Sequence, residues 1–371
     1  MDFNFSDDQE QLRAAVRRWV EKSYPFTRRR AIVAAGGFAR EVWSELADLG
    51  LTALCVPEAY EGLGQSSVDA MVAMEELGRG IVLEPLVQAF VASTLLAAHA
   101  DAALQAAWLP RIAKGTALVV LAHQERQARY QLGVCGATAA QIGTGYALTA
   151  TKSIVPAGDQ ADAFLVPAQL DGVLALFLVE RSAPGVATSG YLTQDGSRAA
   201  ELRLANAPAT LVTRAGLAAL EFGVDTGIAA HCAEAVGAME QTLSITIDYL
   251  QQRKQFGVPI ASFQALRHRV ADMKMQLELA RSMSYYASLS LAEPPEARRR
   301  AIARAKVQLG QSMRFVGQQA VQLHGGIGVT DEYIVSHYFK KLTQLEMLYG
   351  DTLHHLGEVS ARMQDTAGVF A

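Results

Sequence analysis

The residues with the clearest chemical potential form one string between two long helical segments. Residues 253–260 are Arg-Lys-Gln-Phe-Gly-Val-Pro-Ile, and Phe263 and Gln264 follow shortly after. An arginine at such a junction can hold a phosphate or diphosphate through two parallel N–H···O bonds. Taken alone, Arg253 fits equally well an ordinary charged helix end beside which Phe256 fills part of the core. The string therefore indicates either an anion site or a helix boundary.

A second string combines glycines with polar residues at a predicted helix end. Residues 322–333 are Gln-Leu-His-Gly-Gly-Ile-Gly-Val-Thr-Asp-Glu-Tyr. Glycine tolerates positive φ and has no side chain, so Gly325 and Gly326 can let backbone amides approach a ligand closely. A Gly-Gly-x-Gly run by itself often marks only a helix stop.

These strings lie in a chain that changes character twice. Residues 1–117 show apolar positions at helical spacing, broken by glycine- and proline-containing loops. Residues 118–213 are marked by short β-prone runs separated by Gly, Asp and Pro turns. The runs predicted as strands are 117–121, 146–149, 163–166, 173–179 and 201–204. From 214 to 371, apolar residues recur every three or four positions along three long segments, with a fourth helix expected after Ser336. We therefore predict an α+β fold with an N-terminal helical domain, a middle antiparallel β domain and a C-terminal four-helix bundle within these three ranges.

Composition narrows the classes of function. Half of the 371 residues are hydrophobic and the formal net charge is only −4, which provides no general attraction to nucleic acid or to an anionic membrane surface. We expect neither as a partner. No stretch of about 18 uncharged apolar residues suggests a membrane span.

The cysteines and histidines indicate neither disulfides nor a metal. The three cysteines are scattered without paired spacing, and the acidic N-terminus lacks the order of a signal peptide, so we predict reduced thiols and a cytoplasmic location. His354 and His355 are adjacent, hence face different sides of a helix, and no third ligand is suitably spaced. No metal site is predicted.

The arginine string, together with Ala-Asp-Met at 271–273, closely resembles the signature of FAD-dependent acyl-CoA dehydrogenases. In that family the arginine binds the FAD diphosphate across a subunit interface. The resemblance implies this role for Arg253. It also implies cofactor contacts from the other residues of the string, which are Gln255, Phe256, Phe263 and Gln264.

The glycine string resembles the family segment that lies along the adenosine-diphosphate half of FAD, which implies contacts from Gln322, Gly325 and Gly326. The resemblance covers almost the whole chain, strongly after residue 220 and loosely before it. It implies the family fold, FAD as cofactor, and α,β-dehydrogenation of an acyl-CoA thioester to the trans-2-enoyl-CoA. It further implies a homotetramer or dimer, and an electron-transfer flavoprotein or similar acceptor.

The catalytic base of the family is missing from its usual place. Most members carry it as the glutamate of a Tyr-Glu-Gly-Thr string, where residues 349–352 here are Tyr-Gly-Asp-Thr. Gly350 cannot take a proton. Asp351 is displaced by one residue but is the one carboxylate in the string, so it is the predicted base. The alternative is that Asp351 only caps the helix that follows.

Two residues are candidate substrate contacts. A subset of the family places its glutamate on the first bundle helix, and counting back from Arg253 brings that place to about Gly227. Asp225 lies two residues before it and is assigned to the substrate site, whereas Glu234 is expected to be solvated or ion-paired. Tyr130 stands where members have a serine, and either packs or crowds the acyl entrance.

The flavin-facing positions also depart from the family. Where members have Trp-Ile-Thr-Asn, residues 154–157 are Ile-Val-Pro-Ala. Val155 and Pro156 thus take cofactor positions, although proline offers neither a hydroxyl nor an N–H. Thr352 and His354 take the flavin-side positions after the altered base string.

The altered strings most resemble pimeloyl-CoA dehydrogenase small-subunit-like members, whose relatives can form mixed tetramers. Two hypotheses follow. The chain is either a complete FAD enzyme or a catalytically silent companion in a heterotetramer, lending Arg253 and its fold to a second acyl-CoA dehydrogenase subunit.

Overall fold

The computed structural model describes residues 5–143 and 145–363, which separate into two compact units. The first, here called the bundle unit, is made of three segments: Met1–Arg28, Met71–Val82 and Ile228–Ala371. The second, here called the sheet unit, is made of two segments: Arg29–Ala70 and Leu83–Gly227.

The sheet unit is built on seven strands: β1 (Val119–Leu121), β2 (Thr138–Ile142), β3 (Gly145–Pro156), β4 (Ala163–Leu170), β5 (Val173–Glu180), β6 (Val186–Leu192) and β7 (Arg198–Thr213). Their order is β1-β4-β2-β3-β7-β5, with β6 on β7. Because β4 also pairs with β5, the path from β4 through β2, β3, β7 and β5 closes on itself. β4 runs parallel to β1 and meets β2 in parallel at one position, so the sheet is mixed rather than purely antiparallel.

The strands form where β-favouring apolar residues are continuous. β4 and β5 are apolar along nearly their whole length and buried on both faces, with Phe164 and Phe177 fully enclosed. Such strands need cover on both sides, which the closed path and the helices of the same unit provide.

Eleven α-helices lie within the described residues: α1 (Asp7–Ser23), α2 (Phe26–Ala34), α3 (Arg40–Asp48), α4 (Ser67–Arg79), α5 (Leu86–His99), α6 (Ala102–Ala113), α7 (Gly216–Gln252), α8 (Gln264–Ser290), α9 (Pro295–His324), α10 (Ile334–Met347) and α11 (Thr352–Ala361). None of them is both long enough and apolar enough to cross a membrane. The α+β class, with helices before and after a β region, is confirmed. The three predicted domain boundaries stay a prediction.

The long helices of the bundle unit end where the sequence places stop signals. α9 starts with Pro295 at its first position, where the missing N–H costs nothing. It ends at Gly325, which has a φ of 66° and closes the last turn through its N–H. The apolar stripes of α8 and α9 are buried, as Met273 and Leu309 illustrate.

Two glycines bring α4 and the bundle part of α7 into backbone contact. A Cβ on Gly237 would lie 1.7 Å from the carbonyl oxygen of Glu75, and one on Gly78 would lie 2.0 Å from that of Glu234. No side chain fits in either place. The spacing of these glycines therefore fixes how deep α4 seats against α7.

Ion pairs complete this contact. Glu76 is fully buried and accepts two hydrogen bonds from Arg17, at 2.9 Å from Nε and 2.6 Å from Nη2, which ties α1 to α4. Glu75, also buried, pairs with Arg281 of α8. Neighbouring carboxylates on α4 thus hold two different helices.

We expect Gly237→Ala to lower the free energy of unfolding by about 3 kcal/mol, at the upper end of the usual cost of overpacking, because its Cβ would meet backbone that cannot move aside alone. The matched control is Gly357→Ala on α11, where a Cβ meets nothing within 4 Å. That variant should gain up to about 1 kcal/mol from helix propensity. Urea unfolding measures the free energy of unfolding of both variants. A Gly237→Ala variant as stable as Gly357→Ala would contradict the close packing of α4 on α7.

Candidate active site

The Arg253 string forms a short hairpin directly after α7 ends. Lys254–Gln255 pairs antiparallel with Val258–Pro259, so Phe256 and Gly257 are the two turn residues. Their φ values of 54° and 79° are those of the two-residue turn that best matches strand twist. Gly257 provides this conformation without strain, whereas Phe256 is forced into it.

The hairpin is open to its surroundings. Phe256 is 91% exposed, and its ring meets the edge of the Phe263 ring at 6.1 Å between centroids. The exposed Arg253 side chain makes no hydrogen bond or ion pair with the described part of the chain. Gln255 and Gln264 are exposed as well. The alternative of a core-filling Phe256 is wrong for this chain, because the ring lies outside the core.

The glycine string lies at the end of α9. A Cβ on Gly325 or Gly326 would meet nothing within 4 Å, so the backbone presents a bare face, with Gln322 exposed one turn earlier. Beneath it, His324 donates from Nδ1 to the carbonyl of Ala320 at 2.8 Å. Its Nε2 is buried and has no hydrogen-bond partner among the described residues. An unobstructed backbone beside an unpaired polar atom is what a polar ligand would complete.

The two strings lie at the same end of the bundle unit. Tyr249, one turn before Arg253, stacks on His324 at 4.4 Å between ring centroids and 28° between planes. The hairpin that follows α7 is therefore tied to the glycine loop that follows α9. An elongated anion could touch both on one surface of this chain.

The altered base string makes a tight turn between α10 and α11. Tyr349 and Gly350 have φ values of 57° and 112°. A Cβ on Gly350 would lie 2.6 Å from Nε2 of His355 and 2.7 Å from Cδ2 of His354. The string thus has no room for a side chain where the family carries its glutamate.

Asp351 caps α11. Its Oδ1 accepts a hydrogen bond from the backbone N–H of His354 at 2.8 Å, and its backbone is extended as an N-cap requires. The side chain is half-buried. The structure therefore shows the capping contact, and the role of Asp351 as a base stays a prediction.

Thr352 and His354 follow at the start of α11. Thr352 is buried and its hydroxyl donates to Oε1 of Glu346 at 2.5 Å, which leaves its oxygen able to accept a further hydrogen bond. The close fit needs Gly310, because a Cβ there would lie 2.1 Å from the Thr352 hydroxyl. The half-buried His354 ring meets the edge of His355.

The predicted residues of the sheet unit include Val155 and Pro156, which close β3 opposite Ala200 and Ala199. Val155 is buried, whereas the preceding Ile154 has a φ of 52° and is 39% exposed. A register shift between Lys152 and Val155 accompanies this bend. The bend turns an apolar side chain outward beside two positions assigned to the cofactor.

Tyr130 and Asp225 are also in the sheet unit. Tyr130 is half-buried beneath the guanidinium of Arg129, which lies 5.2 Å from its ring centroid. Asp225 is almost completely buried on α7. Their roles toward a substrate stay predictions.

A buried ion pair that the sequence patterns did not reveal holds the Tyr130 loop. Oε1 of Glu125 accepts from Nζ of Lys152 at 2.6 Å, and Oε2 accepts from the backbone N–H of Gly136 at 2.7 Å. Lys152 also donates to the carbonyl of Pro167. Burial alone raises the pKa of Glu125, but Lys152 outweighs burial and the pKa is lowered.

A second buried network lies in the bundle unit. Nδ1 of His231 is 2.8 Å from Oε2 of Glu234, and Oε1 of Glu234 is 2.7 Å from Nζ of Lys341. Of the two alternatives expected for Glu234, solvated or ion-paired, the structure shows the ion-paired one. The His231 ring lies beside Tyr349 of the altered string, at 5.8 Å between centroids.

No group of three or more His, Cys, Asp or Glu side chains in residues 5–143 and 145–363 is arranged to hold a metal ion. Cys55, Cys135 and Cys232 are free thiols. Burial raises the pKa of Cys232 to about 12, which keeps it protonated.

Two protein-family domains match this chain, one before the β region and one after it. Residues 6–116 match the family acyl-CoA dehydrogenase, N-terminal domain, and residues 215–364 match acyl-CoA dehydrogenase, C-terminal domain. Acyl-CoA dehydrogenase IpdE2 of Mycobacterium tuberculosis (strain ATCC 25618 / H37Rv) is 31% identical over 337 residues, covering 90% of this chain and 91% of the relative. Acyl-CoA dehydrogenase FadE27 of the same organism is 29% identical over 338 residues, covering 89% of each.

Among solved structures, a chain of the ChsE4-ChsE5 complex from Mycobacterium tuberculosis is similar in fold. The TM-score is 0.90 at 27% identity, and the match covers 99% of this chain and 100% of that chain. The likeness extends through the central sheet, where neither family domain matches.

We expect Lys152→Met to lower the free energy of unfolding by about 3–5 kcal/mol, because it leaves the buried Glu125 without its counter-charge. The control is Lys114→Met, whose partner Glu61 is as close, at 2.5 Å, but whose side chains are 59% and 58% exposed. That pair should contribute at most about 1 kcal/mol.

The pH dependence tests the same pair. Because the pKa of Glu125 is lowered by folding, its contribution is complete above the ordinary carboxyl pKa of about 4.3 and is lost as pH falls through the lowered value. Urea midpoints of wild type and Lys152→Met should converge on acidification. Equal losses in the two lysine variants at neutral pH would contradict the assignment.

Proposed function

Because the chain belongs to the acyl-CoA dehydrogenase family, we propose that it converts an acyl-CoA thioester to the trans-2-enoyl-CoA by α,β-dehydrogenation. The family makes it an oxidoreductase whose cofactor is FAD. The dehydrogenation itself, the catalytic base and the electron acceptor are proposals, and the thioester experiment below identifies the acyl group.

The observation that carries this proposal is that Arg253 and the Gly325–Gly326 backbone lie at the same end of the bundle unit, joined by the stacking of Tyr249 on His324. The guanidinium is exposed and uncompensated within the described chain, and the glycine backbone at the same end of the unit is bare. A diphosphate needs both charge-assisted donors and close backbone approach. The residues therefore fit the diphosphate and adenosine end of FAD, as the resemblance implied.

When bound, FAD accepts a hydride from the β-carbon of the acyl group. The chain's own residues orient the reaction. The Thr352 oxygen keeps an acceptor position after donating to Glu346. Pro156 supplies neither hydroxyl nor N–H, so the apolar Ile154 and the backbone around the bend are what β3 offers to a flavin.

The exposed hairpin further supports an assembly of at least two chains. Phe256 is 91% exposed and Arg253 has no partner within the described part of its own chain. An apolar ring beside an unpaired cation is typical of a surface that another subunit covers. We infer that each chain lends its hairpin to the cofactor of a neighbour, in a dimer or tetramer, and that an electron-transfer flavoprotein or similar acceptor takes the electrons.

The second candidate function is that of a silent companion subunit. It is favoured by Gly350, which has no carboxylate and no space for one. It is also favoured by the likeness to a chain of the ChsE4-ChsE5 complex, whose name gives two different proteins. In this case a partner of the same family would provide the base, and this chain would provide Arg253 and structural support.

Anaerobic addition of acyl-CoA thioesters to the purified, flavin-loaded chain tests the function. We expect the flavin absorbance to bleach with at least one thioester and the trans-2-enoyl-CoA to form in equal amount, because the family chemistry reduces FAD as it oxidises substrate. Bleaching that appears only after a second acyl-CoA dehydrogenase chain is added would establish the companion role instead. No bleaching in either case would contradict both.

Arg253→Ala tests the cofactor surface. Losing charge-assisted hydrogen bonds worth about 1.5–3 kcal/mol should weaken FAD binding by roughly 10- to 150-fold. The ratio of flavin to protein absorbance in the purified variant reports this directly. The control is Arg304→Ala, an exposed arginine of α9 outside the proposed surface. Equal flavin content in the two variants would remove Arg253 from the site.

A further inference from the structure

Dehydrogenation requires a group that removes the α-proton, and the one carboxylate of the altered string, Asp351, is engaged as the cap of α11. Gly350 has no side chain, and Asp351 already uses one carboxylate oxygen to cap α11. A general base must have an available lone pair at hydrogen-bonding reach of the proton. The groups packed against the Tyr349–Gly350 turn are therefore the places to look.

His231 is such a group. Its ring lies beside Tyr349, at 5.8 Å between centroids, and its side chain keeps 12% of its surface exposed. Nδ1 is taken by Glu234, whereas Nε2 has no hydrogen-bond partner within the described ranges and is not enclosed. His231 also lies one helical turn after Gly227, on the same face of α7. One nitrogen is thus anchored and the other is open.

Glu234 determines which nitrogen carries the hydrogen. Burial alone raises the pKa of Glu234, but Lys341 and His231 outweigh it and bring the pKa to about 2. The carboxylate is therefore ionised at neutral pH and can only accept. Nδ1 of His231 must donate to it, which leaves the lone pair on Nε2.

The surrounding charges suit a base that starts neutral. Burial lowers the pKa of His231, the Glu234 carboxylate on α7 offsets part of this, and Lys341 on α10 and Lys306 on α9 lower the pKa further. The imidazole is thus unprotonated at neutral pH. Once Nε2 takes a proton, the adjacent carboxylate stabilises the imidazolium, as in other His–carboxylate pairs.

Given the dehydrogenation proposed above, on which this inference rests, we propose that His231 is the catalytic base of this chain and Glu234 its positioning residue. The α-carbon–hydrogen bond breaks and its proton forms a bond with Nε2. The electron pair left on the α-carbon forms the Cα=Cβ double bond as the β-carbon loses a hydride to the flavin. The imidazolium then releases the proton through its exposed edge.

His231→Gln tests the proposal in the flavin-loaded chain. The rate of flavin reduction should fall by about 100-fold or more, with flavin content unchanged, and imidazole added to His231→Ala should restore part of the rate. The control is His268→Gln, an exposed histidine of α8 away from the turn. A rate within about threefold of wild type in His231→Gln overturns the proposal, as does a 100-fold loss confined to Asp351→Asn.

Glu234→Gln separates positioning from mere structural support. Removing the carboxylate lowers the pKa of His231 further, because Glu234 is what raises it. The rising limb of the rate against pH should therefore move to lower pH while the rate falls. A fall in rate with an unmoved limb assigns Glu234 a structural role only and overturns this part of the proposal.

A measurement independent of turnover distinguishes failure of the inference from failure of the proposed function. The ¹⁵N signals of His231, assigned by their absence in His231→Gln, should show the neutral ring with hydrogen on Nδ1 at about pH 7 to 8, because the pKa lies below its ordinary value of about 6.5. They should shift when a 3-thia-acyl-CoA, which cannot be dehydrogenated in the normal way, is added. If no thioester bleaches the wild-type flavin, the proposed function fails. The inference about His231 is then judged by its ¹⁵N signals, and signals that do not shift with the 3-thia-acyl-CoA overturn it.

Discussion

The backbone contact between α4 and α7 is the constraint on which the bundle unit depends. Gly78 and Gly237 each lack a side chain at the point of contact, so a backbone carbonyl of each helix lies against the glycine of the other. Rotating or sliding either helix would bring a residue with a side chain into the contact, where only glycine fits. The contact therefore fixes both the rotation of α4 and its position along α7. The buried carboxylates of α4 then meet arginines from α1 and α8 at fixed positions.

The same contact positions the candidate chemistry along α7. Gly78 lies against the carbonyl of Glu234, so the α4 contact and the Glu234 side chain share one residue of α7. Lys341 fixes the carboxylate from α10, and the carboxylate fixes the ring of His231 one turn earlier. At its far end α7 continues to Tyr249, whose stacking on His324 ties the hairpin to the glycine loop. One helix thus carries the proposed base and leads directly into the hairpin that bears Arg253.

Local patterns predicted what local physics decides. Helical periodicity predicted the bundle helices. The Arg253 string predicted either an anion site or a helix boundary, and α7 does end directly before it, at Gln252. Two strands escaped prediction. β2 is largely exposed and has little apolar alternation, and β6 resembles a polar loop. β7 is longer than its predicted core of 201–204, because Asn206, with a φ of 52°, makes a bulge where a turn would be expected.

The site could be predicted only where one string contains it. Asp351 and its cap lie within four residues, so both alternatives for its role could be stated from sequence. The Lys152–Glu125 pair and the His231–Glu234–Lys341 network join residues from separate elements, and no spacing rule links α7 to α10. A histidine three residues before a glutamate on a helix was the one available signal. That signal is weak, because most such pairs are exposed and contribute little.

The turn at Gly350 shows why a different base would have to come from elsewhere in the fold. With a φ of 112° and two imidazoles within 3 Å of the place of a Cβ, this position does not accept a glutamate without rebuilding the turn. Nε2 of His355 donates to the carbonyl of Tyr349 at 3.1 Å, and burial brings the pKa of His355 to about 3, so the ring is a neutral support. Tyr349 is in turn the residue against which His231 lies. The turn that excludes the family's carboxylate therefore lies beside an imidazole that Glu234 orients.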